Sequence, residues 1–100
     1  MVVTMLEARL SEEQGHALAE RYREAVDDLP DQIAETFLLS GVRDDLWQIV
    51  TVWRSEADLD AYRTSVDLPE GVRQFRSIGA TPSLGVFSVV VHAANRRPPS

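Results

Sequence analysis

The 100-residue chain contains no cysteine. This absence excludes a disulfide framework, a thiolate metal site and a thiol nucleophile. The sequence also lacks a Gly-rich phosphate loop and the nucleophile elbow of serine hydrolases. Its two histidines, His16 and His92, lie far apart and have no metal-ligand spacing. We therefore expect no metal site and no bound cofactor.

Positive charge is scarce, with 10 Lys and Arg against 16 Asp and Glu, for a net charge of −6. Nucleic acids select basic surfaces, so they are not expected partners. No apolar run approaches the roughly 20 residues that span a membrane. The opening, Met1 to Glu7, is too short and too soon acidic for a secretory signal. We expect one cytoplasmic domain over residues 1–95, without a membrane partner, and a disordered tail at 96–100.

Hydrophobic periodicity predicts that the first half forms a strand, a helix and a strand. Residues from Val2 to Leu10 alternate as a strand does, with Thr4 and Leu6 sharing one face. Ser11 and Gln14 then have the spacing of a helix capping box. The apolar stripe of that helix consists of Leu18, Tyr22, Ala25, Val26 and Leu29, and Pro30 follows it. A second strand is predicted from about Ile33 to Val42.

The second half predicts a strand, a helix and a final strand. The polar residues Arg43 to Asp45 connect the second strand to a third one, Leu46 to Trp53. Ser55 caps the next helix, which Leu68 to Gly71 interrupts. A further turn or two is predicted over 72–78, and the nearly all-apolar run 84–93 predicts the last strand.

The order β-α-β-β-α-β is the ferredoxin-like arrangement of the α+β class. In this arrangement both helices lie on one face of a four-stranded antiparallel sheet. If the other face were solvated, the strands would alternate between apolar and polar residues. The third strand is instead largely apolar on both faces, with Val50 and Val52 opposite Ile49 and Trp53. Two helices cannot cover both faces. We therefore expect a homodimer that packs sheet against sheet.

The third strand ends in Trp53 and passes at once into the Ser55-capped helix, the most family-specific segment of the chain. The run from Trp53 to Tyr62, with the opening Leu6 to Ser11 and the hairpin from Phe37 to Thr51, resembles antibiotic biosynthesis monooxygenase-like domains of the dimeric α+β barrel superfamily. The resemblance covers Val2 to Ala93. It implies a ligand cleft between helices and sheet in each subunit. In quinone-forming members, a Trp matching Trp53 lines this cleft, and the substrate itself reacts with oxygen.

Other positions depart from the family pattern. Quinone-forming members have an Asn four residues before that Trp and a Tyr six residues after it, whereas this chain has Ile49 and Leu59. Heme-degrading members have an Asn in the first strand, a Trp at the position of Tyr62 and an axial His in the following short helix. This chain has Ala8, Tyr62 and no histidine between Pro69 and Ser77. The resemblance therefore does not imply heme.

The candidate binding residues are mainly aromatic. Tyr22 and Tyr62 lie on helix stripes that face the same sheet, so with Trp53 they could hold a flat aromatic ligand. The alternative is that Trp53 is a packing residue of the core and that the two tyrosines have their hydroxyls at the rim. Trp47 is either a cleft wall or a core or interface residue. Glu35 is the acidic residue of the second strand and would face either the cleft or the barrel.

The candidate catalytic residues are His92 and Tyr62. An imidazole that titrates near neutral pH could deprotonate a phenol, although a lone strand histidine is also typical of a structural residue. Together with these aromatic residues, the family resemblance implies a small cofactor-independent monooxygenase-like protein that binds a phenolic or quinone-forming compound. The alternatives are a non-catalytic ligand-binding or dimerisation module of the same fold and a polyketide cyclase or isomerase.

Overall fold

One four-stranded antiparallel sheet carries the helices on one of its faces. The structure is a computed structural model that describes residues 1–96. Its strand order is β2-β3-β1-β4. The predicted ferredoxin-like α+β class is confirmed, with a third helix where the sequence predicted a turn or two. In chain order the elements are β1 (Val2–Arg9), α1 (Glu12–Ala25), a 3₁₀ turn (Val26–Asp28), β2 (Ile33–Ser40), β3 (Leu46–Trp53), α2 (Glu56–Ser65), α3 (Glu70–Ser77) and β4 (Ser83–Ser88).

Strands β1 and β3 form the centre of the sheet. Thr4 lies opposite Thr51, and both side chains are buried beneath the helices. Their neighbours Val3 and Val52, which also form a pair, are only half-buried on the outer face. The two-residue alternation predicted for these strands is therefore present.

The N-terminus of α1 carries the predicted capping box. The Ser11 hydroxyl accepts a hydrogen bond from the Gln14 N–H at 3.1 Å, and Gln14 Oε1 accepts one from the Ser11 N–H at 3.0 Å. One turn into the helix, a Cβ on Gly15 would clash with the indole of Trp47. The missing side chain lets α1 lie directly on β3, so Trp47 is a packing residue between the helix and the sheet.

The last strand is shorter than the predicted 84–93. Strand β4 pairs with β1, and Ser88 lies opposite Val2, the first residue of β1. The Val89 N–H still donates to the Met1 carbonyl at 3.0 Å, but among the described residues the β1–β4 pairing does not extend past that bond. Residues 89–96 therefore have no regular structure, and Val90 and Val91 are 91% and 84% exposed. Strand β2 also ends early, at Ser40. Of the predicted tail, residues 97–100 lie outside the described residues.

Two clusters form the core on the helix side of the sheet. Phe75 of α3 and Leu18 of α1 are fully buried in the first, together with Leu6, Leu10 and Ile49. The second lies under α2 and consists of Val2, Trp53, Leu59 and Tyr62. No helix within residues 1–96 has the length and apolarity needed to cross a membrane.

Candidate functional site

A cleft of about 480 Å³ lies between the inner face of the sheet and the helices. This volume falls within the roughly 300–1,000 Å³ that is typical of small-molecule sites. The central strands supply its floor, and the three helices and the 3₁₀ turn supply its walls. The floor includes Thr4, Leu6, Ile49, Thr51 and Trp53, with Thr36 of β2 beside them, and the walls include Tyr22, Leu59, Tyr62, Gly71 and Gln74.

Trp53 and Tyr62 form the aromatic part of the lining. Their ring centroids are 5.0 Å apart with planes tilted by 45°, and Trp53 is only 4% exposed. Trp53 Nε1 donates to Thr4 Oγ1 at 3.0 Å, and the Tyr62 hydroxyl accepts from the Glu70 N–H at 2.9 Å. Because these polar atoms already have partners in the protein, the two rings contribute mainly apolar surface to the cleft.

The local sequence explains how these two rings meet. Ser55 is in extended conformation directly after β3, and its hydroxyl accepts from the Asp58 N–H at 3.1 Å. This cap starts α2 immediately after Trp53. Leu59 and Tyr62 then follow three residues apart and lie buried on the same side of the helix. The strand end and the helix face therefore converge on one corner of the cleft.

A chain of three hydroxyl groups crosses the cleft beside these rings. The Tyr22 hydroxyl donates to Thr36 Oγ1 at 2.9 Å, and Thr36 Oγ1 lies 3.2 Å from Thr51 Oγ1. Burial raises the pKa of Tyr22, and the hydrogen bond to Thr36 lowers it by less. Tyr22 is therefore a neutral phenol at neutral pH, suited to hydrogen bonding and not to accepting a proton.

Gln74 is a cleft residue that the sequence analysis did not single out. Its side chain is buried, with 6% exposed, and its Oε1 has no hydrogen-bond partner. A signal was present in the sequence, because Gln74 lies three residues after Gly71 and four before Ile78, on one face of a helix. Thr4 and Thr51 were also missed as lining residues, although alternation puts Thr4 on one strand face with Leu6 and Thr51 on one face with Trp53.

Charged side chains at the rim of the cleft are mostly acidic. Glu24, Asp28 and Glu70 border it and are exposed, whereas Arg63 is the basic residue among its described lining residues. Excess negative charge at an entrance disfavours anions. The cleft is therefore better suited to a neutral ligand than to a carboxylate or phosphate.

The remaining predicted site residues lie elsewhere. Trp47 is half-buried under α1, and Glu35 is exposed on the outer face, where it pairs with Val52. His92 is exposed in the irregular segment after β4. None of the three lines the cleft, whereas Trp53, Tyr62 and Tyr22 do. No cluster of three or more potential metal ligands occurs in the part of the chain that the structure describes.

At the level of sequence, no protein-family model matches the chain, and no curated protein matches it. Solved structures do match its fold. A variant of MhuD with two manganese protoporphyrin IX groups per active site has a TM-score of 0.73 at 17% identity, over 95% of this chain and 100% of that one. The chain has the fold of the antibiotic biosynthesis monooxygenases.

Two further structures support this assignment. An antibiotic biosynthesis monooxygenase matches with a TM-score of 0.67 at 16% identity, over 91% of this chain and 100% of that one. The protein Rv0793 from Mycobacterium tuberculosis matches with a TM-score of 0.68 at 14% identity, over 93% and 98% of the two chains. The resemblance found in the sequence to the antibiotic biosynthesis monooxygenase-like domains is confirmed at the level of the fold.

The porphyrin in the MhuD structure raises the question of whether this cleft fits a heme. Heme iron is usually held by a histidine, a thiolate, a methionine or a tyrosinate. Neither histidine lines the cleft, and cysteine is absent. The two phenols are already engaged, Tyr22 as a donor to Thr36 and Tyr62 as an acceptor from Glu70. The described cleft residues therefore do not fit an axially ligated heme.

Proposed function

We propose that this protein is a small cofactor-independent monooxygenase-like protein that binds a neutral phenolic or quinone-forming aromatic compound in its helix–sheet cleft. The observation that carries the proposal is the apolar cleft of about 480 Å³ bounded by Trp53, Tyr62 and Tyr22. Aromatic walls favour a flat ring through offset or tilted stacking. The acidic rim supports the choice of a neutral ligand.

The proposed reaction needs no redox group from the protein. One naphthol and one dioxygen give one naphthoquinone and one water, so one oxygen atom enters the ring and the other leaves as water. The substrate supplies all four electrons that reduce the oxygen. The cleft would hold the ring, exclude bulk water and orient the phenolic carbon toward oxygen. Tyr22 would not take the phenolic proton, because its hydroxyl is a hydrogen-bond donor to Thr36, so that proton would leave toward the rim.

A second candidate function is a non-catalytic ligand-binding module. The observation that favours it is the absence of an imidazole from the described cleft lining, since His92 lies outside it. The polyketide cyclase or isomerase alternative needs an acid and a base positioned on the substrate. The polar groups deep in the cleft are neutral hydroxyls and one amide, so the module is the stronger alternative.

We also propose that the protein is a homodimer. On the outer face of the sheet, Val3, Met5, Val50 and Val52 form an apolar centre, and Phe37, Leu39 and Phe87 around it are about half exposed. A patch of this kind is typical of an interface. A two-fold dimer places the same apolar patch against itself, and a second copy is a partner that is always present.

Two measurements on the wild-type protein test the function. Naphthoquinone should quench the tryptophan fluorescence saturably if the cleft takes a flat ring beside Trp53. In a separate assay with naphthol, oxygen uptake matched one-to-one by naphthoquinone formation would support the enzyme. Saturable binding without oxygen uptake would support the binding module. A strictly linear, collisional quenching curve would contradict both.

A further inference from the structure

Among the buried side-chain nitrogen and oxygen atoms of the described residues, Gln74 Oε1 alone has no hydrogen-bond partner. The backbone carbonyl of Gln74 is satisfied, because the Ser77 hydroxyl donates to it at 2.6 Å. The acceptor without a partner is therefore the side-chain amide oxygen. This amide is on α3, in a residue that lines the cleft.

The other inward-facing residues of α3 offer no donor to the amide oxygen of Gln74. Its neighbours on α3 that also face inward are Gly71, Val72 and Phe75, none of which has a side-chain donor. A buried acceptor without a donor is unfavourable relative to the same group in water. By contrast, the polar atoms of Trp53 and Tyr62 each have a hydrogen-bond partner within the protein. Gln74 thus supplies the buried side-chain acceptor of the cleft that has no partner in the protein.

We infer that Gln74 is the specificity-determining residue of the cleft and that it selects aromatic ligands carrying a hydrogen-bond donor, such as a phenolic hydroxyl. The inference rests on the proposed function, because it assumes that an aromatic ring enters the cleft. A ligand hydroxyl would give the amide oxygen its missing partner, whereas an ether of the same shape would leave it unpaired. Sites built to pair with a ligand hydroxyl reject the analogue that lacks it for this reason.

Calorimetric titration with naphthol and with methoxynaphthalene tests the inference. The two ligands share a ring system, but only naphthol has a donor. The wild type should bind naphthol about tenfold more tightly, the value of one ordinary hydrogen bond. Gln74→Met keeps the side-chain length and removes the amide. The ratio of naphthol affinity to methoxynaphthalene affinity should therefore fall to about one, while the affinity for methoxynaphthalene is kept. Arg76→Met, an exposed position on the same helix, should retain the preference.

The outcomes separate the inference from the function on which it rests. If Gln74→Met binds both ligands with the wild-type preference, the role of Gln74 is overturned and the aromatic site stands. If the wild type binds neither ligand, the proposed function fails and the inference fails with it. Gln74→Leu should reproduce the loss of preference. Neither variant should lower the melting temperature, and a clear drop would show that the amide has a structural partner, which also overturns the inference.

Discussion

Trp53 Nε1 donates a hydrogen bond to Thr4 Oγ1 at 3.0 Å, joining β3 to β1 beneath the cleft. The two residues are diagonal neighbours, since Trp53 lies opposite Val2 and Thr4 lies opposite Thr51. Diagonal neighbours are within reach of large aromatic side chains. Because both residues are buried, the bond fixes the indole on the cleft floor.

Replacing the acceptor should destabilise the fold. Thr4→Val keeps the shape of the side chain and leaves the buried indole N–H unpaired, which should cost about 1–3 kcal/mol in the free energy of unfolding. Urea unfolding followed by far-UV circular dichroism measures this. Thr4→Ser retains the hydroxyl and serves as the control, with a smaller loss. Equal stability of Thr4→Val and wild type would show that the bond does not form in solution.

The two tryptophans should differ in their effect on ligand binding. Trp53→Phe should weaken naphthoquinone binding by at most roughly tenfold, because stacking contributes only about 0.5–1.5 kcal/mol beyond buried area. Trp47→Phe should lower stability through its contact with Gly15 and leave the affinity unchanged. Calorimetric titration of both variants measures the effect without relying on their fluorescence. A larger loss of affinity in Trp47→Phe would place the ligand at the other end of the sheet.

Tyr22 should make the protein less stable at high pH. Burial raises the pKa of Tyr22 in the folded state, so this phenol binds its proton more tightly there than in the unfolded chain. The stability that Tyr22 contributes to the fold is complete below its unfolded-state pKa of about 10. It is lost as the pH rises through the folded-state pKa. As the pH rises from neutral to above about 10, the free energy of unfolding should fall less steeply for Tyr22→Phe than for the wild type. Identical slopes for the variant and wild type would contradict the direction of the shift.

A charge on the outer sheet face should break the proposed dimer. Val52→Glu or Val50→Glu would bury an unpaired carboxylate in that interface, at a cost of several kcal/mol. Sedimentation should show a wild-type dimer and a monomeric or aggregated variant. Ala61→Glu, exposed on α2, is the matched control and should stay dimeric. A stable wild-type monomer at micromolar concentration would refute the dimer.

Heme should not bind at one equivalent per chain. The cleft has no imidazole among its described lining residues, and Tyr22 and Tyr62 use their hydroxyls within the protein. Titration of hemin should give only the weak, broad spectrum of non-specific association. A sharp Soret band that saturates at one heme per chain and disappears in His16→Ala or His92→Ala would show that a histidine reaches the iron.

The sequence was sufficient for features that depend on neighbouring residues. The Ser11 and Gln14 capping box, the Ser55 cap and the alternation along β1 and β3 all formed as predicted. These signals are local, because a cap or a strand face depends on residues only a few positions apart. The same alternation put Trp53 on one face with Ile49, the family resemblance assigned that Trp to the cleft, and helix periodicity placed Tyr22 and Tyr62 on inner stripes. The aromatic part of the cleft could therefore be predicted.

Only the tertiary structure decided where Glu35, His92 and Gln74 lie. Alternation alone puts Glu35 on the same face as Ile33, but an irregularity at residue 34 shifts the register, so Ile33 pairs with Trp53 and Glu35 with Val52 on the outer face. The pattern around His92 predicts a strand, yet the pairing of β4 with β1 ends at Ser88, opposite Val2. The unpaired Oε1 of Gln74 depends on which side chains of other elements surround it. Local pattern sets the direction of a side chain, whereas pairing partners and neighbours are set by residues distant in sequence.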